Sequence, residues 1–240
     1  GRTLWNEQGL LQGFGNSALT EVGVKGAKQT GVALQHIPFV AAYSSCLQRT
    51  IDTAQYILGE RNVPLFQHKG LNEQYFGSWE GLPVEELRSL EEFNQMLKNA
   101  ANYKAQSNGG ETFEQLAKRA MKALQDIIQV HEQGNILIVS HGHTLRLLLA
   151  LLAGTSWQEH RHEGKSQSLL NCAINIVHYK QSHETDGKFI IESINEVPID
   201  LPKRDFIEWL RFAPRKETKS VVNQTTSSVR NHRLYVFVDD

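Results

Sequence analysis

The residues best placed to do chemistry lie in Ser140-His141-Gly142-His143. Four apolar residues, 136–139, precede them, and a leucine-rich run over 145–154 follows. The pattern reads as a buried strand, a polar turn and a helix, with Thr144 as cap and Gly154 as stop. Such a turn favours a negative ligand, because the free N–H groups and the dipole of the helix N-terminus point at it. His141 and the Gly142 N–H would stand beside that ligand. The plain alternative is an ordinary turn. A His-x-His metal pair is a third reading, but zinc takes three or four ligands. No cysteine pair or carboxylate cluster near this stretch completes such a set.

Two other segments could serve the same anion. Arg49 falls in the first turn of a helix expected over 47–58, after a short buried strand at 39–43 that Ser44-Ser45 ends. Its guanidinium is a planar fork of donors, although by itself it would be an ordinary surface arginine. Residues 70–81 form a loop dense in aromatics and glycine that carries Glu73 and Glu80.

The elements that must hold these groups alternate. Residues 1–15 are glycine-rich and read as loop. Thr20 caps a helix of about 15 residues with Glu21 in its first turn. Residues 64–68 are a third strand candidate, and 83–101 read as helix. Thr112 to Gln115 is a capping box, and the helix it opens has apolar positions at Leu116, Ala120, Ala123, Leu124, Ile127 and Ile128, a 3.6-residue period. Strands alternating with helices predict a three-layer α/β/α sandwich on a mostly parallel sheet. Residues 171–180 and 188–195, around Asp186-Gly187, predict an antiparallel hairpin at the sheet edge. Prolines then leave room for one short helix over 205–212, and 216–230 is polar. The run Leu234-Tyr-Val-Phe-Val238 is a strong strand signal that needs a partner.

Composition narrows the class. The 240 residues are 40% hydrophobic and 21% charged, with a formal net charge of −1, ordinary for a single globular α/β domain. That charge argues against nucleic acid or an anionic membrane as partner. Two distant cysteines, and opening residues without a signal-peptide pattern, predict a reducing, cytoplasmic setting. No apolar run reaches the length of a membrane span.

Together the motifs resemble the histidine phosphatase superfamily, the phosphoglycerate-mutase-like fold. Gly1-Arg-Thr-Leu-Trp-Asn6 is similar to the second half of its Arg-His-Gly-x-Thr-x-x-Asn signature. Gln12-Gly13 and 16–23 are similar to the segment that follows, and Ser44-Ser-Cys-Leu-Gln-Arg49-Thr to its second arginine motif. Leu71-Asn-Glu73 through Gly81 resembles its acid loop, and Gly109-Gly-Glu111-Thr and Ser140-His141-Gly142 complete the set. The resemblance covers residues 1–197.

It implies a phosphoryl group carried on histidine and released by water. Glu73 would be the acid that protonates the leaving oxygen, and His141 a donor to the phosphoryl oxygens. Arg49, Asn6, Gln12 and the Gly142 N–H would bind phosphate, and Glu80 would shape the loop. It implies no metal and no cofactor, with phosphorylated small molecules as substrates and inorganic phosphate as product. The short separation of Glu73 from His141 resembles the phosphatase branch. Mutase-type phosphoryl transfer and an inactive phosphate-binding or interaction protein are the two other readings, and oligomeric state is left open.

The resemblance also places an Arg-His pair and a first strand immediately ahead of Gly1. Residues 234–238 resemble that strand, which puts Asp239 and Asp240 in the place of Arg-His. This predicts a core over 1–198, an extension and linker over 199–233, and a relocated strand, as in a circular permutant. The linker part, 216–233, is about 18 residues and spans up to roughly 60 Å. A carboxylate about 4 Å from a phosphate charge costs on the order of 4 kcal/mol at an effective dielectric near 20, so weak turnover is expected.

Overall fold

In the computed structural model, which describes residues 1–183, 186–197 and 229–239, the chain builds a six-stranded sheet with helices on both faces. The helices are α1 (Leu4–Gln8), α2 (Glu21–Ala33), α3 (Gln48–Leu58), α4 (Val84–Leu87), α5 (Glu91–Lys98), α6 (Phe113–Val130) and α7 (Gly142–Leu152). The strands are β1 (Phe39–Ser44), β2 (Leu65–Gln67), β3 (Gln133–Ser140), β4 (Ile174–Gln181), β5 (Lys188–Glu196) and β6 (Arg230–Val238), in the order β2-β1-β3-β6-β4-β5. β2, β1, β3 and β6 pair in parallel; β4 is antiparallel to β6, and β5 to β4. The sheet is thus mostly parallel with an antiparallel edge hairpin.

Side-chain alternation makes the three layers. Ile136 and Ile138 of β3, with Leu234 and Val236 of β6, face Ala120, Leu124 and Ile127 of α6 and Leu145 and Leu148 of α7. Leu137, Val139, Tyr235 and Phe237 face the other way, onto Ala27 of α2 and Ala54 and Ile57 of α3. Both strands are buried on two faces, hence their unbroken apolar runs. β6 pairs with β3 from Gln133↔Asn231 to Ser140↔Val238 and with β4 on its other side. The last described strand is therefore central.

Several expectations need correction. Residues 1–15 are not all loop: Thr3 and Asn6 close a capping box that starts α1. The helix expected over 83–101 is two helices, because Leu90 turns extended and Glu91 and Glu92 begin a new first turn. Helix α7 starts at Gly142 with His141 at the N-cap position, so Thr144 is a first-turn residue rather than the cap. Residues 230–233, expected as linker, belong to β6; the helix expected over 205–212 lies outside the described residues.

A third apolar cluster, including Phe76, Trp79, Phe93, Tyr103, Phe113 and Leu147, anchors the loop over 73–81. Gly77 lets that loop touch its neighbour. Its φ is +57°, and a Cβ there would lie 1.8 Å from the Asn108 carbonyl oxygen. Gly77→Ala is expected to destabilise the fold by at least about 2 kcal/mol, read as a lower thermal midpoint. An unchanged midpoint would contradict the close approach.

Candidate active site

The carboxyl ends of three central strands lie side by side. The Ser45 N–H, after β1, donates to the Val139 carbonyl at 3.2 Å, and the Asp239 N–H, after β6, donates to the Ser140 carbonyl at 2.8 Å. Helices α3 and α7 begin at these ends, so their N-terminal dipoles favour an anion there.

His141 is fully buried. Its Nε2 lies 2.8 Å from Ser45 Oγ, itself 2.6 Å from Thr50 Oγ1. Its Nδ1 has no partner among the described residues. Burial holds its pKa well below the ordinary histidine value, and the positive charge of Arg49 acts the same way. The ring is a neutral imidazole at physiological pH.

Glu73 reaches the first turn of α7. Its Oε1 accepts from the Thr144 N–H at 3.0 Å, Thr144 Oγ1 at 3.0 Å and its neighbour Gln74 N–H at 2.8 Å; its Oε2 accepts from the His143 N–H at 3.1 Å. The Gly142 N–H is the first-turn amide that Glu73 does not take. Arg119 positions the loop beneath. It pairs with Glu111 through two 2.7 Å bonds and donates to the carbonyls of Gly70, Asn72 and Glu73. Gln74 bridges Glu111 and the His143 ring.

Arg49 is buried, and its fork holds the glycine loop: Nη1 donates to Gly15 O and Nη2 to Gly13 O, both at 2.8 Å. Glu80 grips the same loop from the other side, accepting from the N–H groups of Phe14, Gly15 and Phe76. The amides of Asn6 and Gln12 meet at Thr3 instead. No hydrogen bond among the described residues joins either of them to His141 or Glu73. Asp239 is buried; its Oδ1 pairs with the Gly1 amino group and accepts from Thr53 Oγ1 at 3.2 Å. Asp240 lies outside the described residues. Among those residues no group of three or more His, Cys, Asp or Glu side chains could hold a metal ion.

The segment His160-Arg161-His162 divides. Although all three are polar by type, His160 and Arg161 are buried and only His162 is exposed. Phe113 explains the burial: the His160 ring meets it edge-on at 4.8 Å and the Arg161 guanidinium lies 5.6 Å over it. Burial pushes His160 down to about 4, whereas an unfolded histidine titrates near 6.5. Between these values the unfolded chain takes a proton that the folded chain refuses. Stability is whole above about 6.5 and is lost as pH falls toward about 4, by on the order of 3 kcal/mol for this residue. His141 and His143 are depressed in the same direction. Thermal midpoints should fall from neutral to mildly acidic pH, less steeply in His160→Gln. A flat profile would contradict this.

Sequence reasoning gave Ser45 no role of its own, reading it as a strand stop within the second arginine motif, and missed Arg119, which no motif marks. Arg119 does fall two helical turns after the N-cap Thr112, on the side that Glu111 faces.

With this geometry, the chain matches the family model of the histidine phosphatase superfamily (branch 1) over residues 1–190. It belongs to that superfamily. A metal-independent phosphoserine phosphatase of Arabidopsis thaliana is 34% identical over 201 residues, covering 82% of this chain and 79% of its own. A 2,3-bisphosphoglycerate-dependent phosphoglycerate mutase of Cytophaga hutchinsonii is 30% identical, covering 68% and 78%. The structure of Bacillus stearothermophilus YhfR superimposes with a TM-score of 0.73 at 29% identity, covering 82% of this chain and 94% of that one. Among the described residues no helix is long and apolar enough to cross a membrane.

Proposed function

We propose that the chain hydrolyses small phosphate monoesters at the carboxyl ends of β1, β3 and β6, with phosphoserine as the first substrate to test. The observation that carries this reading is the convergence of His141, Glu73 and the α7 N-terminus on one strand edge. The phosphoryl oxygens spread negative charge, which the Gly142 N–H, His141 and Arg49 would meet. Arg49 takes part once an anion displaces the Gly13 and Gly15 carbonyls from its fork. Water supplies the new bond to phosphorus as the bond to the alkoxide breaks; Glu73 gives the alkoxide its proton, for which one carboxyl oxygen must be released from the helix, and a proton from the attacking water restores the acid. Asn6 and Gln12 support the pocket by shaping the loop at Thr3. The substrate class comes from the Arabidopsis relative, whose name specifies phosphoserine. A cytoplasmic setting, without nucleic acid or membrane as partner, belongs to the same reading.

The segment order belongs to it too. β6 fills the strand position that the family resemblance places ahead of Gly1, and Asp239 ends beside Gly1 and Thr53. This supports β6 as a relocated first strand; that Asp239-Asp240 stand in the place of Arg-His and hold turnover low rests on the sequence resemblance. The test incubates parent and Asp239→Arg/Asp240→His with phosphoserine and with 3-phosphoglycerate. Free phosphate from phosphoserine, with faster release by the double variant, is expected. Conversion of 3-phosphoglycerate to its 2-isomer would favour the mutase reading, and no gain in the double variant would sink the permuted one.

A further inference from the structure

The most unusual group outside the reacting centre is Arg161. It is 8% exposed, and its Nε and Nη2 have no partner among the described residues. These two atoms form one edge of the guanidinium, the side-on fork that matches a carboxylate with two parallel N–H···O bonds. A buried guanidinium that lacks an anion is costly, so this arrangement is accounted for when a ligand supplies one.

Its surroundings point the same way. Phe113 carries Arg161 on its face and also stacks with the His143 ring at 6.4 Å between centroids. The His143 N–H donates to Glu73 Oε2. A short chain of contacts therefore joins Arg161 to the acid. The charge balance is positive: Arg146 acts on Arg161 as a like charge, and its own donors go to Ser166 and Ser168 hydroxyls rather than to a carboxylate. Glu73 is an acidic group whose charge acts on Arg161, and α7 already holds it. Next to Arg161, His160 Nε2 is also buried without a partner among the described residues, its Nδ1 being 2.6 Å from the Trp157 carbonyl. Burial and Arg146 together lower Arg161 to about 9, which a bound anion would reverse.

We propose that Arg161, through its Nε and Nη2 edge, anchors a carboxylate on the substrate's alcohol moiety, which makes the chain selective for phosphorylated hydroxy acids over uncharged phosphate esters. This deepens the phosphatase reading and rests on it for the position of the phosphoryl group.

Phosphoserine and phosphoethanolamine differ only by the carboxylate, so their comparison isolates this contact. Calorimetric Kd values for both esters are measured for the parent, Arg161→Met and Arg161→Lys, with thermal midpoints to check folding. The parent should bind phosphoserine at least about 10-fold more tightly than phosphoethanolamine, because a site built to hydrogen-bond a group rejects the analogue lacking it. In Arg161→Met the preference should shrink toward unity, and Arg161→Lys should keep part of it. A merely structural role would weaken both esters equally and leave the ratio unmoved. No preference in the parent, a preference that survives Arg161→Met, or no binding of either ester would each overturn the assignment. Phosphate release measured in parallel separates the two readings: selective binding without release would sink the phosphatase reading while the Arg161 contact stands.

Discussion

Glu73→Gln is expected to lower hydrolysis of phosphoserine by about 10²–10⁴-fold, the usual weight of a positioned proton donor. The loss should fall mainly on kcat, because the amide keeps the volume of the acid but has no proton to give. The leaving group sharpens this. An alkoxide such as that of serine needs a proton as the bond to phosphorus breaks; p-nitrophenolate leaves without one. The variant should therefore lose far more on phosphoserine than on p-nitrophenyl phosphate. Some structural cost comes with it. The introduced amide keeps an acceptor for the Thr144 N–H and hydroxyl but turns a donor toward the His143 N–H, which now bonds Glu73 Oε2 at 3.1 Å. That mismatch costs about 1–3 kcal/mol, visible as a lower midpoint in a chain that still folds. Equal losses on both esters would assign Glu73 to holding α7 rather than to proton transfer.

Arg119→Met is expected to destabilise the fold by about 3–5 kcal/mol, since it leaves a mostly buried Glu111 carboxylate uncompensated. It also strips the donor from three carbonyls, those of Gly70, Asn72 and Glu73. The loop that aims Glu73 is then held only by the contacts of its side chain with α7. Turnover should fall along with stability. Removing both charges in Arg119→Met/Glu111→Leu should recover much of the stability and little of the turnover, which separates positioning from folding. Arg119→Lys should rescue only part, because one ammonium cannot replace a fork that serves Glu111 and three carbonyls. Thermal midpoints with kcat and KM check this; a double variant with full turnover would contradict it.

These two predictions concern residues of different legibility. His141, and Glu73 together with Glu80, stand out in the chain because a polar group at a strand end or in an aromatic glycine loop breaks an otherwise apolar pattern; the choice of Glu73 over Glu80 came from the family resemblance. The strands β1, β3 and β6 were equally plain, being short apolar runs with clear stops. Arg119 was not legible: its partners are mostly backbone carbonyls about 50 residues away, and carbonyls leave no mark on a sequence. The same holds for Arg49, whose fork was expected on phosphate and holds Gly13 and Gly15 in the structure. Asn6 and Gln12 were expected as phosphate donors but meet at Thr3, because a capping box uses their residue types equally well. Burial of His160 and Arg161 was missed because both are polar by type, and only the position of Phe113 in space covers them.

The most direct measurement is phosphate release from phosphoserine by the parent, His141→Ala and Asp239→Arg/Asp240→His, from mildly acidic to neutral pH. The account predicts slow release by the parent, a loss in His141→Ala that exceeds any loss of folded protein, and a gain in the double variant. Equal release by the parent and His141→Ala, or none by either the parent or the double variant, would contradict it.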